Sequence, residues 1–521
     1  VFRVKFSHKR LIKAALIIVV GAAILLAAAG PILTRIFDPE IRARLEASGI
    51  HIRSWSVNLF TRSITLRDVT WEQDVRKAHI DNVSIRGIGV IPYLRKKELG
   101  IKRILFENGT ISITRDTVKG EVRADSIALR GIYVDMLTFE NFDVSIKKDT
   151  TIEYHAKVGL AIHFLAINPK ALRDPGSYEF RNIETTVQDL KIQEVGSLYT
   201  FTIKEATFDR ERMILHIDSL KLEPLLNKTE FAKKVKSQET RVTLIVASVN
   251  ARGVNMGVHM EDTAIMISSV QIKGAKVHAY KNKKYPFNRK EKFPLPMVSF
   301  QSLKFGIEVD TIKITESTIT YEELPANAFH TAHISFEGVE ATINSVNNRE
   351  FKNLSGYSTV EASAHVMKTG EVKATFKLPL KKTEKYSAEG NIRNVPLKEL
   401  NPLLSDLAFF EISSGKLNRL DFKFIYDDIG SKGQLTFDYE DLKVVGLKKE
   451  PGKDIDVFKT MLVNTAVKND QTLTGDIDVR RNQRKAVFNL WTISIVDGLK
   501  NGLLPKQVKK NMDKRKEKGK R

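Results

Sequence analysis

Apolar and polar residues alternate along most of this chain. In Ser56–Trp71 the run SVNLFTRSITLRDVTW sets Val57 and Leu59, then Ile64 and Leu66, two apart. Successive side chains of a strand point to opposite faces, so this period predicts a strand with one dry face. The phrase recurs as an alternating run, a small turn and a second alternating run. IKRILFENGTISITRD (Ile101–Asp116) carries Asn108-Gly109 at its centre, which predicts a hairpin there. Ser126–Ile146, Ala206–Pro224, Ser268–Lys284, Ile307–Glu323 and Gly415–Val444 read the same way. A shared rhythm without identical copies predicts one repetitive sheet rather than several unrelated domains.

Helical segments are few. Glu223–Ser237 and Leu397–Leu407 are helix candidates, with Phe458–Thr465 and Trp491–Leu504 as shorter ones and Pro39–Ser48 as a short amphipathic helix. Alternating strands do not suit a parallel sheet covered by helices on both faces, whose strands read as continuous apolar runs. The expected fold is mainly β: an elongated, curled antiparallel sheet, shaped as a groove or taco, with a few short helices. So few helices leave a long dry face that must close on itself, meet another sheet or stay an apolar groove. The groove reading nominates Val57, Leu59, Ile64, Leu66, Ile111, Ile113, Ile312 and Ile314 as lining residues; the plainer reading makes them core.

One segment departs from the alternation. Leu11–Gly30 reads LIKAALIIVVGAAILLAAAG, with Lys13 its only charge. Twenty helical residues span about 30 Å, the thickness of a bilayer's hydrocarbon core. Five basic residues and no acid occupy positions 1–13, which predicts a cytoplasmic N-terminus and a translocated body. A cleaved signal peptide ending near Ala27-Ala28-Ala29 is the alternative. The expected layout is a basic N-terminus at 1–10, a transmembrane helix at 11–30, β-rich regions at 31–284 and 285–490, and an amphipathic segment with a basic tail at 491–521. The Lys- and Pro-rich stretch Tyr280–Pro296 supplies the soft boundary.

Charge changes the picture only at the ends. The net charge is +22, and residues 500–521 carry ten basic against two acidic residues. Lys9, Arg10 and Lys13 at one end, and Trp491, Lys509, Lys510, Lys514 and Arg515 at the other, are candidates for an anionic membrane surface; a solvated tail is the alternative. Nucleic acid is not an expected partner, because no recognition helix, zinc finger or aromatic RNA-binding signature occurs. With no cysteine, disulfides, thiolate metal sites and cysteine nucleophiles are ruled out.

Signals of catalysis are poor. HExxH, GxSxG and phosphate-binding glycine loops are absent. His330 and His333 would point to opposite faces of a strand and so share a metal badly. Asp427-Asp428 and Glu322-Glu323 read as solvated carboxylates at turns or edges. Asn82, Asn108, Asn227 and Asn353 begin N-x-S/T triplets that read as chance. The expectation is a non-enzyme without metal or cofactor.

The anchor followed by VNLFTRSITLRDV resembles the opening of AsmA-like proteins, including the relatives grouped as DUF748, and Val277–Lys281 resembles Bacteroidetes-type members. The C-terminal phrases PLKELNPLL (Pro396–Leu404), ISSGKLNRLDFKF (Ile412–Phe424) and GQLTFDYEDLKV (Gly433–Val444) are similar to the end of such chains. The resemblance implies an inner-membrane anchor, a periplasmic body of repeating β-groove type and a part in phospholipid transfer or envelope homeostasis, with envelope proteins as partners. It brings no catalytic motif. The rival reading is an anchored scaffold that organises envelope partners and carries no lipid.

Overall fold

In the computed structural model the described residues are 46, 49–58, 60–73, 76–89, 98–114, 131–148, 151–167, 178–258, 263–287, 292–303, 305–348, 356–381, 384–407, 409–448 and 471–503. The chain divides into two compact units, Val1–Asp218 and Ser219–Arg521. The anchor at 11–30 and the helices expected at Pro39–Ser48 and Phe458–Thr465 lie outside the described residues, apart from residue 46. Among the described residues no helix is long and apolar enough to cross a membrane.

Unit 1 is built from strands. They are β1 (Ile50–Asn58), β2 (Ser63–Gln73), β3 (Arg76–Gly89), β4 (Glu98–Thr114), β5 (Gly131–Lys148), β6 (Thr151–Ile167), the short β7 (Tyr178–Glu179), β8 (Asn182–Ile192) and β9 (Tyr199–Asp209). Neighbours along the chain pair antiparallel, except that β4 and β5 run parallel and β8 pairs past β7 to β6. Strand β10 (Ile214–Pro224) carries the chain into unit 2.

Unit 2 opens with helix α1 (Lys228–Val235), then β11 (Thr240–Arg252), β12 (Asn255–Val258), β13 (Thr263–Lys273) and β14 (Lys276–Asn282). Helix α2 (Pro296–Gln301) precedes β15 (Gly306–Leu324), β16 (Ala332–Asn347), β17 (Tyr357–Val366), β18 (Gly370–Pro379) and β19 (Tyr386–Pro396). A 3-10 turn (Leu397–Leu400) and helix α3 (Asn401–Leu407) lead to β20 (Phe410–Tyr426), β21 (Gly430–Gly446), β22 (Gln471–Arg480) and helix α4 (Val487–Leu503). The protein is therefore mainly β with a few short helices, and helices were expected at α1, α3 and α4. Asn227 caps α1: its side chain accepts from the Thr229 and Glu230 amides while Glu230 accepts from the Asn227 amide. That asparagine of an N-x-T triplet thus has a structural task.

Two of the expected hairpins form, β9–β10 and β20–β21. Three others are single long strands: β4 runs straight through Asn108-Gly109, β5 through Asn141 and β15 through Glu316. Ser268–Lys284 also does not fold back; β13 and β14 follow one another against β11 on one side and, in parallel, against β15 on the other.

The reason lies in a recurrent left-handed residue. Asp68, Asn108 and Asn141 have φ of 51°, 53° and 57°, and Glu316 has 52°. Short polar side chains are among the few that tolerate this conformation. In β4 the inward apolar side chains are Leu99 and Ile101, then Ile104 and Phe106, then Ile111 and Ile113; in β5 they are Ile132 and Val134, then Leu137 and Phe139, then Val144 and Ile146. The step is three from Ile101 to Ile104 and from Val134 to Leu137, and again past Asn108 to Gly109 and past Asn141 to Phe142, the positions where pairing is skipped. A plain strand would then turn its apolar set outward; a bulge-like residue takes up the extra position and keeps one face inside. Those of unit 1 line up across strands: Asp68, Asn108 and Asn141, with Asp81 of β3 between the first two, face one another in successive ladders at positions where pairing is skipped. The Asn141 side-chain amide donates to Asn108 Oδ1 across 3.2 Å.

Gly109 therefore serves the core rather than a turn. A Cβ built on it would lie 2.1 Å from Cε1 of the Phe142 ring. That ring stands edge-on to Phe139, which stacks on Phe106 at 4.6 Å. Gly109→Val is expected to destabilise unit 1 by about 3 kcal/mol through overpacking, read as a lower urea midpoint with an unchanged slope.

Candidate functional site

Covered and half-covered stretches alternate along the apolar face of the strands. In unit 1, Ile64 and Leu66 are 0% and 1% exposed and sit in a cluster with Ile85, Ile104 and Phe106. Val57, Ile111 and Ile113 are half-buried on the same face, where Val57 pairs with Ile64. Leu59 lies outside the described residues.

In unit 2 the face can be followed strand by strand through its register. Val270, Ile312, Ile343, Val360 and Phe376 are direct partners from β13 to β18, and each is half-buried. The row continues to Ala388 and Phe424, which are 0% and 2% exposed. Ile314 begins a parallel row, Ile314–Ala341–Ala362–Ala374–Gly390, whose small residues keep the floor low. Ile319, further along β15, is 41% exposed. The expected lining residues Ile312 and Ile314 thus lie on a half-covered apolar face. A shallow cavity of about 700 Å³ is lined by the row that begins at Ile314 together with the charged neighbours Lys313, Glu340, Glu361, Lys373 and Lys423.

Helix α4 accounts for the covered end. Trp491 stacks on Phe376 at 4.5 Å and meets Tyr426 edge-on, while Ile495, Leu499 and Leu503 pack on the same cluster. The apolar stripe expected to face a membrane therefore faces the protein's own sheet. Phe488 remains 68% exposed on the helix. Ser494 and Ser431, both buried, share a 2.6 Å hydrogen bond between helix and sheet. The membrane-surface candidates Lys9, Arg10, Lys13, Lys509, Lys510, Lys514 and Arg515 lie outside the described residues.

Charge gathers where β14 and β15 end. Glu322 and Glu323, expected to be solvated, have opposite surroundings because adjacent strand residues diverge. Glu322 pairs with Lys228 of α1 and with His278 Nε2 at 3.0 Å. Burial pushes the Glu322 carboxyl up, but these two neighbours outweigh it and hold it below the usual carboxylate range. A depressed pKa contributes stability that is complete above the unfolded value of about 4.3 and is lost as pH falls through the folded one. The melting temperature of wild type minus that of Glu322→Gln should be largest near neutral pH and shrink below this range.

Glu323 is 3% exposed; it accepts from the Tyr321 hydroxyl at 2.6 Å and pairs with Lys283 at 2.5 Å. Sequence reasoning missed this cluster, although Lys281 continues the apolar phase of Val277 and Ala279 and was visible as a charge on the dry face. Among the described residues, Asp68, His79 and Asp81 are the group whose ligand atoms come within 4.8 Å of one another. Arg53 already occupies Asp68 at 3.4 Å. His330 precedes β16 and lies 3.9 Å from Asp406, and Asp427 accepts from the Ile429 and Gly430 amides in the β20–β21 turn. None of these side chains is arranged as nucleophile and base.

No protein-family model matches the chain, and no curated protein matches it.

Proposed function

We propose that this protein carries lipid acyl chains on the apolar face of unit 2, as an AsmA-like protein anchored in the inner membrane with its body in the periplasm. The observation that carries the reading is the half-covered row Val270–Ile312–Ile343–Val360–Phe376. Baring a 16-carbon chain to water costs on the order of 12 kcal/mol, and an apolar strip that follows the chain removes most of that cost without catalysis. The apolar run 11–30 and the basic residues before it support the anchor. Phospholipid transfer or envelope homeostasis follows as the role, with no cofactor and no nucleic acid.

The second reading, an anchored scaffold without lipid, draws on Ile64 and Leu66. Their complete burial makes that part of unit 1 a packed core and confines lipid carriage to half-covered strands. A photoreactive phenylalanine analogue placed at Ile319 in the full chain separates the two. Irradiation of cells should give a lipid adduct at Ile319, and none when the analogue replaces Lys313 on the polar face. A probe at Ile319 that captures only protein, or nothing, would leave the scaffold.

A further inference from the structure

At the β14–β16 rim the apolar face of unit 2 gives way to charge. Val277 pairs with Ile319 and Phe336, then Ala279 with Tyr321 and Ile334, then Lys281 with Glu323 and Ala332. The last row thus puts a lysine and a carboxylate in the phase of the apolar side chains. Lys283 adds its ammonium from just beyond β14, and Lys485 approaches from the segment before α4, close enough to act on Lys281 electrostatically. Lys281 and Lys283 thus share one carboxylate, Glu323, with Lys485 beside Lys281.

Glu323 is already committed to Lys283 and to the Tyr321 hydroxyl. The Lys281 ammonium makes no direct side-chain hydrogen bond or ion pair among the described residues, and Glu323 acts on it only electrostatically. Its stem is half-buried while its charge meets two like charges. Burial, and after it the nearby Lys283, hold its pKa below the ordinary lysine value. An isolated surface lysine would gain nothing from that place. A lysine that receives an anion gains much, because a charge-assisted hydrogen bond is strongest where water is partly excluded.

We propose that Lys281, with Lys283 and Lys485 around it, receives the phosphate of an anionic phospholipid whose acyl chain lies along the adjoining row of Ile319 and Ile312. This rests on the acyl-chain reading of unit 2 and adds the headgroup to it. The tail takes the half-covered apolar row, and the head takes the rim where the apolar phase ends. The excess of positive charge over Glu323 selects an anionic head over a zwitterionic one.

The test uses the full-length protein, incubated with liposomes of phosphatidylglycerol or of phosphatidylcholine bearing the same acyl chains, then re-isolated for lipid counting. Phosphatidylglycerol should load about tenfold better, the discrimination of one good charge-assisted contact. Lys281→Gln should remove most of that preference and leave phosphatidylcholine loading unchanged. Glu323→Gln should raise the preference, because the internal competitor is lost while its bond with Tyr321 can persist. A purely structural role for the cluster would not move the two variants in opposite directions. Free glycerol phosphate should compete weakly, since it lacks the tail; competition as strong as that of the whole lipid would reassign the cluster to soluble phosphates. Equal loading of both lipids, or a preference untouched by Lys281→Gln, would overturn the headgroup assignment alone. No loading of either lipid would overturn the acyl-chain reading with it.

Discussion

Replacing Gly475 with valine should detach helix α4 from the sheet and destabilise unit 2 by about 3 kcal/mol or more, the upper end of overpacking costs. A Cβ on Gly475 would lie 1.9 Å from the Gly498 carbonyl oxygen, and backbone cannot swing aside as a flexible side chain can. Gly498 repeats the demand from the helix side, where a Cβ would meet Leu435 at 2.4 Å, and Gly502 one turn on would meet Phe437 at 2.6 Å. Helix and strand therefore touch along a seam of glycines. The expected result is a lower melting temperature and faster amide exchange in Val487–Leu503. The variant should also uncover Phe376 and Tyr426 and raise binding of a hydrophobic dye. Unchanged exchange in the helix would mean that the seam tolerates a branched side chain and that α4 is held by Trp491 instead.

The second large effect concerns neighbouring residues on opposite faces. Ile312→Asp should abolish lipid loading, whereas Lys313→Asp should leave it near the wild-type level. A carboxylate set against an acyl chain loses several kcal/mol of hydration, more than a hundredfold in affinity. Ile312 is half-buried, so water can reach the new charge in the empty protein and the fold should survive. Lys313 is exposed on the other face. Loading equal in both variants would remove the acyl-chain reading. Loss in both would point to a general failure of folding, which circular dichroism would show.

Much of this fold was legible as period, and the errors were errors of phase. Two-residue steps in β2 and β4 announced strands correctly. The Asn108-Gly109 pair reads as a turn, because Asn-Gly is the strongest short hairpin signal and a left-handed asparagine serves both a turn and a bulge. Only the ladder separates them: a hairpin brings Ile104 back against the chain beyond the turn, whereas here it lies against Ile85 and Leu137. Parallel pairing of β4 with β5 was invisible, since alternation is the same in both directions.

Helices are expected from the sequence at α1, α3 and α4, the last from the helical spacing of Trp491, Ile495, Leu499 and Leu503. The direction of the α4 stripe was not legible: Trp491, Ile495 and Leu499 beside a basic tail suit a bilayer and a sheet equally. Gly498 and Gly502, one turn apart, were the available signal for close packing on another backbone. Of the candidate lining residues, sequence gave the apolar face but not its cover, because cover depends on which strands α4 reaches.

The aligned irregular residues also set rules for how such a chain can change by descent. Asp68, Asp81, Asn108 and Asn141 sit abreast. Deleting one residue from β3 between its pairing partners would put its kink out of step with those of β2 and β4, and half of that strand would present polar side chains to the interior. A change that adds a full pair of steps, two and three, to every strand keeps the kinks abreast and merely widens the sheet. Copying a whole strand pair lengthens it without disturbing any kink. Lineages of this architecture are thus free to vary in number of strands and in surface loops, while the lengths between kinks are held by the neighbours on either side.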